Sequence, residues 1–385
     1  MKLKRQPEDF RVEELTDFVP SNGHYAFYRL EKRGMGTPEV VQAVCRRWNI
    51  DRRRLSYGGL KDRHAITTQF VTIDGGPRQE LKQTSFTMEY LGQASRPFTP
   101  RDIAGNRFAI VMRHMAPDAL KRAETALDEI ARDRLPNYFD DQRFGSLGQS
   151  GEFVAKAWCA ENYDRALWLA IAEPNEHDRP DDKREKKLLR DQWKKWPQVK
   201  AALGKGNRRS LVTYLCDHPD DLRGAFARTS EDLRSLYLSA YQSFAWNALL
   251  ASVIRDLVPP TQLAPVRLKG GDLVFYRSLD EKARAALFAL ELALPSSRAE
   301  YDATMKARAE RALGAPLESM KIRHPRENFF SKGVRAATLE AKNVAKESAE
   351  DELYGGKRKL ILKFDLPRGA YATMIVKRVT VAAGK

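Results

Sequence analysis

A chain of 385 residues is long for one core, so two domains are expected. Hydrophobic residues at 42% and aromatics at 9% can fill real cores and exclude a disordered chain. The 67 Lys and Arg against 51 Asp and Glu leave a net charge of +16, which points to a polyanionic partner, nucleic acid ahead of a merely solubilising surface.

The first ten residues carry positive charge but no apolar h-region, so no signal peptide is expected. No run reaches membrane-span length. Cys45, Cys159 and Cys216 lie far apart, an odd set without zinc spacing, which fits a reducing compartment and a soluble cytoplasmic protein.

Residues 1–36 read as strands and turns. Phe10–Leu15 is extended, and Asn22-Gly23 marks a turn before the aromatic run His24–Leu30. Thr37-Pro38 opens a helix, with Thr37 as cap and Pro38 at the first helical position. Val41, Val44, Cys45 and Trp48 then recur at helical spacing and face a core. Residues 68–73, 84–91 and 106–113 read as strands, and 117–133 as an amphipathic helix with Leu120, Leu127 and Ile130 on one face. The stretch Leu135–Gly145 reads as a loop of Asn, Gln, Arg and aromatics, residue types that stack on and hydrogen-bond to bases.

The composition shifts near residue 150. Residues 181–209 hold eleven Lys and Arg against four Asp and Glu, with Trp193 and Trp196 among them. A phosphate-binding surface with aromatic anchors and a solvated helical face over two buried indoles are equally good readings of this run. Residues 231–256 read as a helix with Leu236, Ala240, Phe244 and Ala248 as its core stripe. Residues 272–276 read as a strand, 281–293 as a helix, and 296–356 as polar and helix-rich with turns at Gly333 and Gly355-Gly356. Lys359–Phe364 alternates as a strand, Leu366–Gly369 is a turn, and 370–378 fits helix or strand. A strand-rich start, a helical middle and a strand-bearing end suggest an inserted domain.

The motifs exclude much chemistry. There is no Walker loop, no His-Glu-x-x-His and no Gly-x-Ser-x-Gly elbow. The six histidines (24, 64, 114, 177, 218 and 324) form no evident ligand set. What remains is a carboxylate, Lys or Arg, or no catalysis at all. Asp62 stands out within Tyr57–Gln69: two glycines lead to one carboxylate set between Lys61 and Arg63, cations able to hold it ionised. Taken alone, such a triplet is more often a solvated turn.

Four separated segments resemble the TruD family of tRNA pseudouridine synthases. They are Lys4-x-x-Pro7-Glu8-Asp9-Phe10, Gly59-Leu60-Lys61-Asp62-x-His64-Ala65-x-Thr67-x-Gln69, Pro136-Asn137-Tyr138-Phe139-x-x-Gln142-Arg143-Phe144-Gly145 and Leu366-Pro367-x-Gly369-x-Tyr371-Ala372-Thr373. The resemblance implies an α+β fold: a pseudouridine synthase-type mixed sheet domain built from both chain ends (1–150 and 341–385), with a helix-rich TRUD-type domain inserted at 151–340. It implies isomerisation of a uridine in RNA to pseudouridine, most often uridine 13 of tRNA, with no cofactor or metal and with tRNA as partner. A monomer is the default expectation for the oligomeric state.

The resemblance makes Asp62 the catalytic carboxylate and Lys4 its cation, with Lys61 and Arg63 as alternatives, since neighbours in an extended strand face opposite ways. It assigns Phe10, Phe139 and Tyr371 as substrate-contacting aromatics, and Asn137 as donor and acceptor for the uracil edge or for Asp62. A flipped nucleotide is expected. Asp140 stands where the family commonly has glycine, and Tyr371 often corresponds to Phe. A catalytically silent RNA-binding or RNA-folding protein on the same scaffold is the competing expectation.

Overall fold

The computed structural model describes residues 1–176, 178–324 and 328–384, so His177 lies outside the described residues. It has the expected α+β character. Contacts divide the chain into two units, Met1–Leu135 with Leu339–Lys385, and Pro136–Thr338.

The first unit is built on a nine-stranded mixed sheet. In chain order its elements are β1 (Phe10–Leu15), β2 (Tyr25–Arg33), α1 (Thr37–Trp48), β3 (Leu55–Tyr57), β4 (Ile66–Asp74), β5 (Leu81–Gln83), β6 (Phe86–Ala94), β7 (Gly105–Met115) and α2 (Pro117–Asp133), then β8 (Lys342–Glu350), β9 (Arg358–Pro367) and α3 (Ala372–Ala382). The strand order is β8-β9-β7-β1-β4-β2-β6-β5, with β3 paired to β4. Alternation along β2 assigns its faces. Ala26, Tyr28 and Leu30 join Val40, Val41 and Val44 of α1 in one core, with Cys45 and Trp48 packed at its margin. Phe27 joins Phe98 and Ile103 in a separate cluster. Each fully buried aliphatic side chain of such a core contributes about 1.5–3 kcal/mol. α2 packs on α3 and against β8 and β9.

The register explains what the sheet can position. β1 and β4 run parallel, with Arg11 opposite Ile66 and Val12 opposite Thr67. The residues that lead into β1 and those that lead into β4 are therefore brought to the same end of the sheet. β7 and β9 extend this side antiparallel, with Phe10 opposite Ile110 and Ile110 opposite Leu362.

Local expectations fared unevenly. Residues 342–350, read as helix-rich, form β8 at the sheet edge. Polar residues there keep an edge strand from pairing with another chain, and they hide it from a hydrophobic pattern search. Residues 370–378 fall within the helix α3 and the turn that leads into it. In the second unit the helix expected over 281–293 stops at Ala289, and Glu291–Ala293 is a strand paired with Val334–Ala336. The helix Glu231–Leu257 is present, but Leu236 of its expected core stripe is 45% exposed. A strict four-residue step drifts about 40° per step around a 3.6-residue helix, so the stripe does not stay on one face.

Buried Arg113 on β7, 2% exposed, ties the ends of the first unit together. It donates to Asp9 ahead of β1 (2.9 and 3.0 Å) and to Asp351 and Glu352 between β8 and β9 (both 3.0 Å). Removing one partner of such a cluster leaves uncompensated buried charge. Arg113→Met is expected to lose about 3–5 kcal/mol of stability in a denaturant titration; a loss under about 1 kcal/mol would show that the cluster is dispensable.

Candidate active site

The N-terminal segment is shaped by Asp9. Its carboxylate accepts the backbone N–H groups of Arg5 (2.9 Å) and Gln6 (3.3 Å) while Arg113 holds it in place. Lys2 and Arg113 also exchange backbone hydrogen bonds of 2.8 Å. Lys4, between these two anchors, is held at φ +49°, a left-handed conformation unfavourable for lysine. Held this way, its ammonium hydrogen-bonds to Oδ2 of Asp62 and lies 4.2 Å from the centre of the Phe10 ring. Phe10 is buried edge-on against Phe108.

The loop carrying Asp62 is fixed from several sides. Thr37 was expected to cap α1, but Gly36 occupies the cap position and its N–H donates to the Glu39 carboxylate at 3.0 Å. The Thr37 hydroxyl instead accepts the Lys61 N–H (3.0 Å) and donates to buried Gln69 (2.9 Å). Gln69 in turn donates to the Gly59 carbonyl at 3.3 Å. Gly58 is required where it stands: a Cβ there would lie 2.4 Å from a side-chain carbon of Ile103. Lys32, from β2, donates to the Asp62 carbonyl at 2.7 Å. Oδ1 of Asp62 accepts the His64 N–H at 2.9 Å, an Asx-type turn that aims the carboxylate.

The flanking cations point elsewhere. Lys61 reaches Glu14 of β1 (2.9 Å) and Asn106 of β7 (2.8 Å). Arg63 pairs with Glu39 of α1 at 2.8 Å. Lys4, remote in sequence, is thus the cation on the Asp62 carboxylate. Burial is the largest influence on Asp62 and pushes its pKa up; the Lys4 hydrogen bond and charge, with the His64 N–H, outweigh it and hold the carboxyl below its ordinary value. Lys32, Thr37, Glu14 and Gln69 were not singled out as site residues from the sequence. Gln69 alone stood inside a quoted motif.

Tyr371 is half-buried at the start of α3, directly after the β9 turn, where Gly369 takes φ +81°. Asn137 and Phe139 belong to the second unit. The Asn137 amide donates to the Ala336 carbonyl (3.0 Å), and its side-chain oxygen accepts from Arg335 (2.6 Å). Phe139 is 8% exposed, with its ring edge-on to Trp246 and the Arg335 guanidinium 4.2 Å from its centre. Asn247 brackets the Phe139 backbone, accepting its N–H (2.9 Å) and donating to its carbonyl (2.8 Å). Asp140 adopts φ −91°, ψ 171°, extended backbone open to any residue, so replacing glycine there causes no strain.

In the basic run, Trp196 is buried and Trp193 packs beside it within one hydrophobic core, so neither indole is an exposed anchor. Several of its cations are paired within the unit, Lys186 with Asp178 and Arg208 with Asp182 and Glu185 among them. Among the described residues no group of three or more His, Cys, Asp or Glu is placed to hold a metal ion. No described helix is long and apolar enough to cross a membrane.

An α+β chain with a lysine-held aspartate beside a buried aromatic ring suits chemistry that needs an ionised carboxylate in a half-dry site. The family model described as tRNA pseudouridine synthase D (TruD) matches residues 1–379, and the chain belongs to the TruD family of tRNA pseudouridine synthases. It is 29% identical to the "Probable tRNA pseudouridine synthase D 1" of Methanococcus maripaludis, over 98% of this chain and 99% of that protein. It is 26% identical to the tRNA pseudouridine synthase D of Aquifex aeolicus, over 98% of each. A crystal structure from Methanosarcina mazei, of a putative tRNA pseudouridine synthase D (TruD), superposes with a TM-score of 0.75 at 25% identity, covering 98% of this chain and 93% of that one.

Because the folded state holds Asp62 ionised, its contribution to stability is present above the ordinary carboxylate range and is lost as pH falls through the lowered folded-state value. Without Lys4, burial is opposed only by the His64 N–H and charge. In Lys4→Met the Asp62 carboxyl is expected to titrate at higher pH than in wild type, as followed by carboxyl-carbon NMR. A titration that does not move in the variant would show that Lys4 does not govern the carboxylate.

Proposed function

We propose that the protein converts a uridine in tRNA to pseudouridine, without a cofactor, through the carboxylate of Asp62. The observation that carries this reading is the Lys4–Asp62 pair, which joins two of the family's separated motifs at one end of the sheet. Isomerisation breaks the bond from N1 of uracil to C1′ of the ribose and forms one from C5 to C1′. The bonding pair leaves with the uracil, and C1′ becomes electron-poor. An ionised carboxylate can stabilise that centre or bond to it, and is released when C5 attacks. The C5 proton then passes to solvent while N1 takes one up, so atoms and charge balance. Attack of Asp62 on the base in place of the sugar satisfies the same balance.

Lys4 keeps the carboxylate ionised and oriented. Phe10, Phe139 and Tyr371 are proposed as the aromatic faces that hold the detached base while it turns, and Asn137 as a partner for its polar edge. Family resemblance supports those four roles. Uridine 13 of tRNA is the proposed target on the same ground. The Pro136–Thr338 unit is proposed to contribute to RNA recognition as the family's inserted domain.

Tritium release from 5-tritiated uridine in tRNA tests the reaction. Wild type is expected to release tritium, and Asp62→Asn to slow release by about 1,000-fold or more, about 4 kcal/mol of transition-state stabilisation. Release by Asp62→Asn at the wild-type rate would remove Asp62 from the chemistry. Absence of release by wild type from any tRNA would favour the silent RNA binder.

Lys183, Lys195, Lys200 and Lys205 of the basic run have no ion-pair partner among the described residues. They are proposed to bind phosphates. Replacing all four by Gln is expected to weaken tRNA binding and to flatten the slope of log K against log salt by about 0.7–0.9 for each phosphate no longer neutralised. An unchanged slope would return the run to a solvated surface.

A further inference from the structure

Lys32 belongs to no motif that carried the functional reading, yet it lies directly against the Asp62 loop. It is 1% exposed, on β2, and donates to the carbonyls of Asp62 (2.7 Å) and Met35 (2.6 Å). Among the described residues no carboxylate lies within ion-pair distance of it. Burying an ammonium on two carbonyls alone is costly, and a methionine would fill much the same volume without that cost. A buried lysine here therefore calls for a use of its charge.

We infer that Lys32 is a positioning residue for the reaction: it clamps the Asp62 peptide from within the sheet and supplies a second, buried positive charge that supports the Asp62 carboxylate. It does not touch the substrate, since the fold covers it. Geometry and charge are separable at this residue. A protonated ammonium has three donors, and a neutral amine keeps two, enough for the two carbonyls. Deprotonation thus removes the charge and leaves the clamp.

The groups around Lys32 set where this happens. Burial is the dominant influence and lowers its pKa; Asp62 and Glu39 of α1 favour the cation, Lys61 opposes it, and the result is about 8. Its ladder neighbours, Thr67 on β4 and Phe86 on β6, are uncharged. The folded state releases this proton more readily than free lysine does. Lys32 therefore makes folding stability rise with pH from about 8 toward 10.5, at the opposite end of the pH range from Asp62.

The inference rests on uridine isomerisation, and its test has one arm that does not. Tritium release from 5-tritiated tRNA is followed from pH 6 to 10 for wild type, Lys32→Arg and Lys32→Met. Wild-type kcat is expected to fall along a limb near pH 8 with KM unchanged. Lys32→Arg, charged throughout, is expected to move that limb to higher pH by at least about one unit. Lys32→Met is expected to lower kcat at pH 7 about tenfold or more, with KM within about twofold, and to lose the limb. Wild-type kcat in Lys32→Met, or an unmoved limb in Lys32→Arg, overturns the role. If Lys32→Met fails to fold, the Lys32→Arg limb decides. Carboxyl NMR of Asp62 needs no turnover: its titration is expected to move up in Lys32→Met, and an unmoved titration overturns the role even if wild type releases no tritium. That last absence would instead count against uridine isomerisation itself.

Discussion

The Asp9–Arg113 ion pair is the interaction on which the sheet-bearing unit depends. It is buried, it sits where the N-terminal segment enters the sheet, and it draws in Asp351 and Glu352 from the C-terminal segment. The same Asp9 carboxylate gathers the backbone of Arg5 and Gln6. Lys4 is thereby held in a strained conformation that an untethered segment would not keep. Ordering such an irregular segment costs about 1–2 kcal/mol per residue, and a buried, multiply bonded arginine is a means of offsetting it. In the motif Lys4-x-x-Pro7-Glu8-Asp9-Phe10, Asp9 is the part that places the lysine.

The electrostatics around Asp62 follow from how cations are distributed. Four lysine and arginine side chains lie on or near the loop, and they divide into two kinds. Lys4 meets the carboxylate and Lys32 the peptide behind it. Lys61 and Arg63 are committed to Glu14 and Glu39. Among the described residues the carboxylate therefore keeps one direct cationic partner, and its other oxygen is committed to a backbone N–H. A carboxylate buried in a cage of several guanidinium groups would be more strongly stabilised and more fully enclosed. One lysine, with a backbone N–H, is enough to keep it ionised against its burial.

Phe139 is held with comparable care inside the second unit. Asn247 satisfies both of its backbone groups from the middle of a long buried helix, and Arg335 covers its ring. Polar residues inside that helix make its hydrophobic pattern poor, and they are there because an irregular segment packed against it needs partners for its backbone.

The sequence by itself determined the α+β class, most elements of the sheet, and the family, through four short motifs whose order is hard to meet by chance. Local signals carried these: alternation in β9, helical spacing in α1, glycine and proline at turns. The edge strand β8 escaped because its polar pattern resembles any solvated segment. Only the tertiary structure decided which cation serves Asp62. Adjacent in sequence, Lys61 and Arg63 were the obvious candidates, and Lys4 rose above them only by resemblance. The parallel pairing of β1 with β4 brings residue 4 beside residue 62, and the fold-back of the loop turns Lys61 toward Glu14. Lys32 could not have been read at all. A lysine in an alternating strand looks solvent-facing, and its burial beneath the Asp62 peptide is fixed by contacts thirty residues away along the chain.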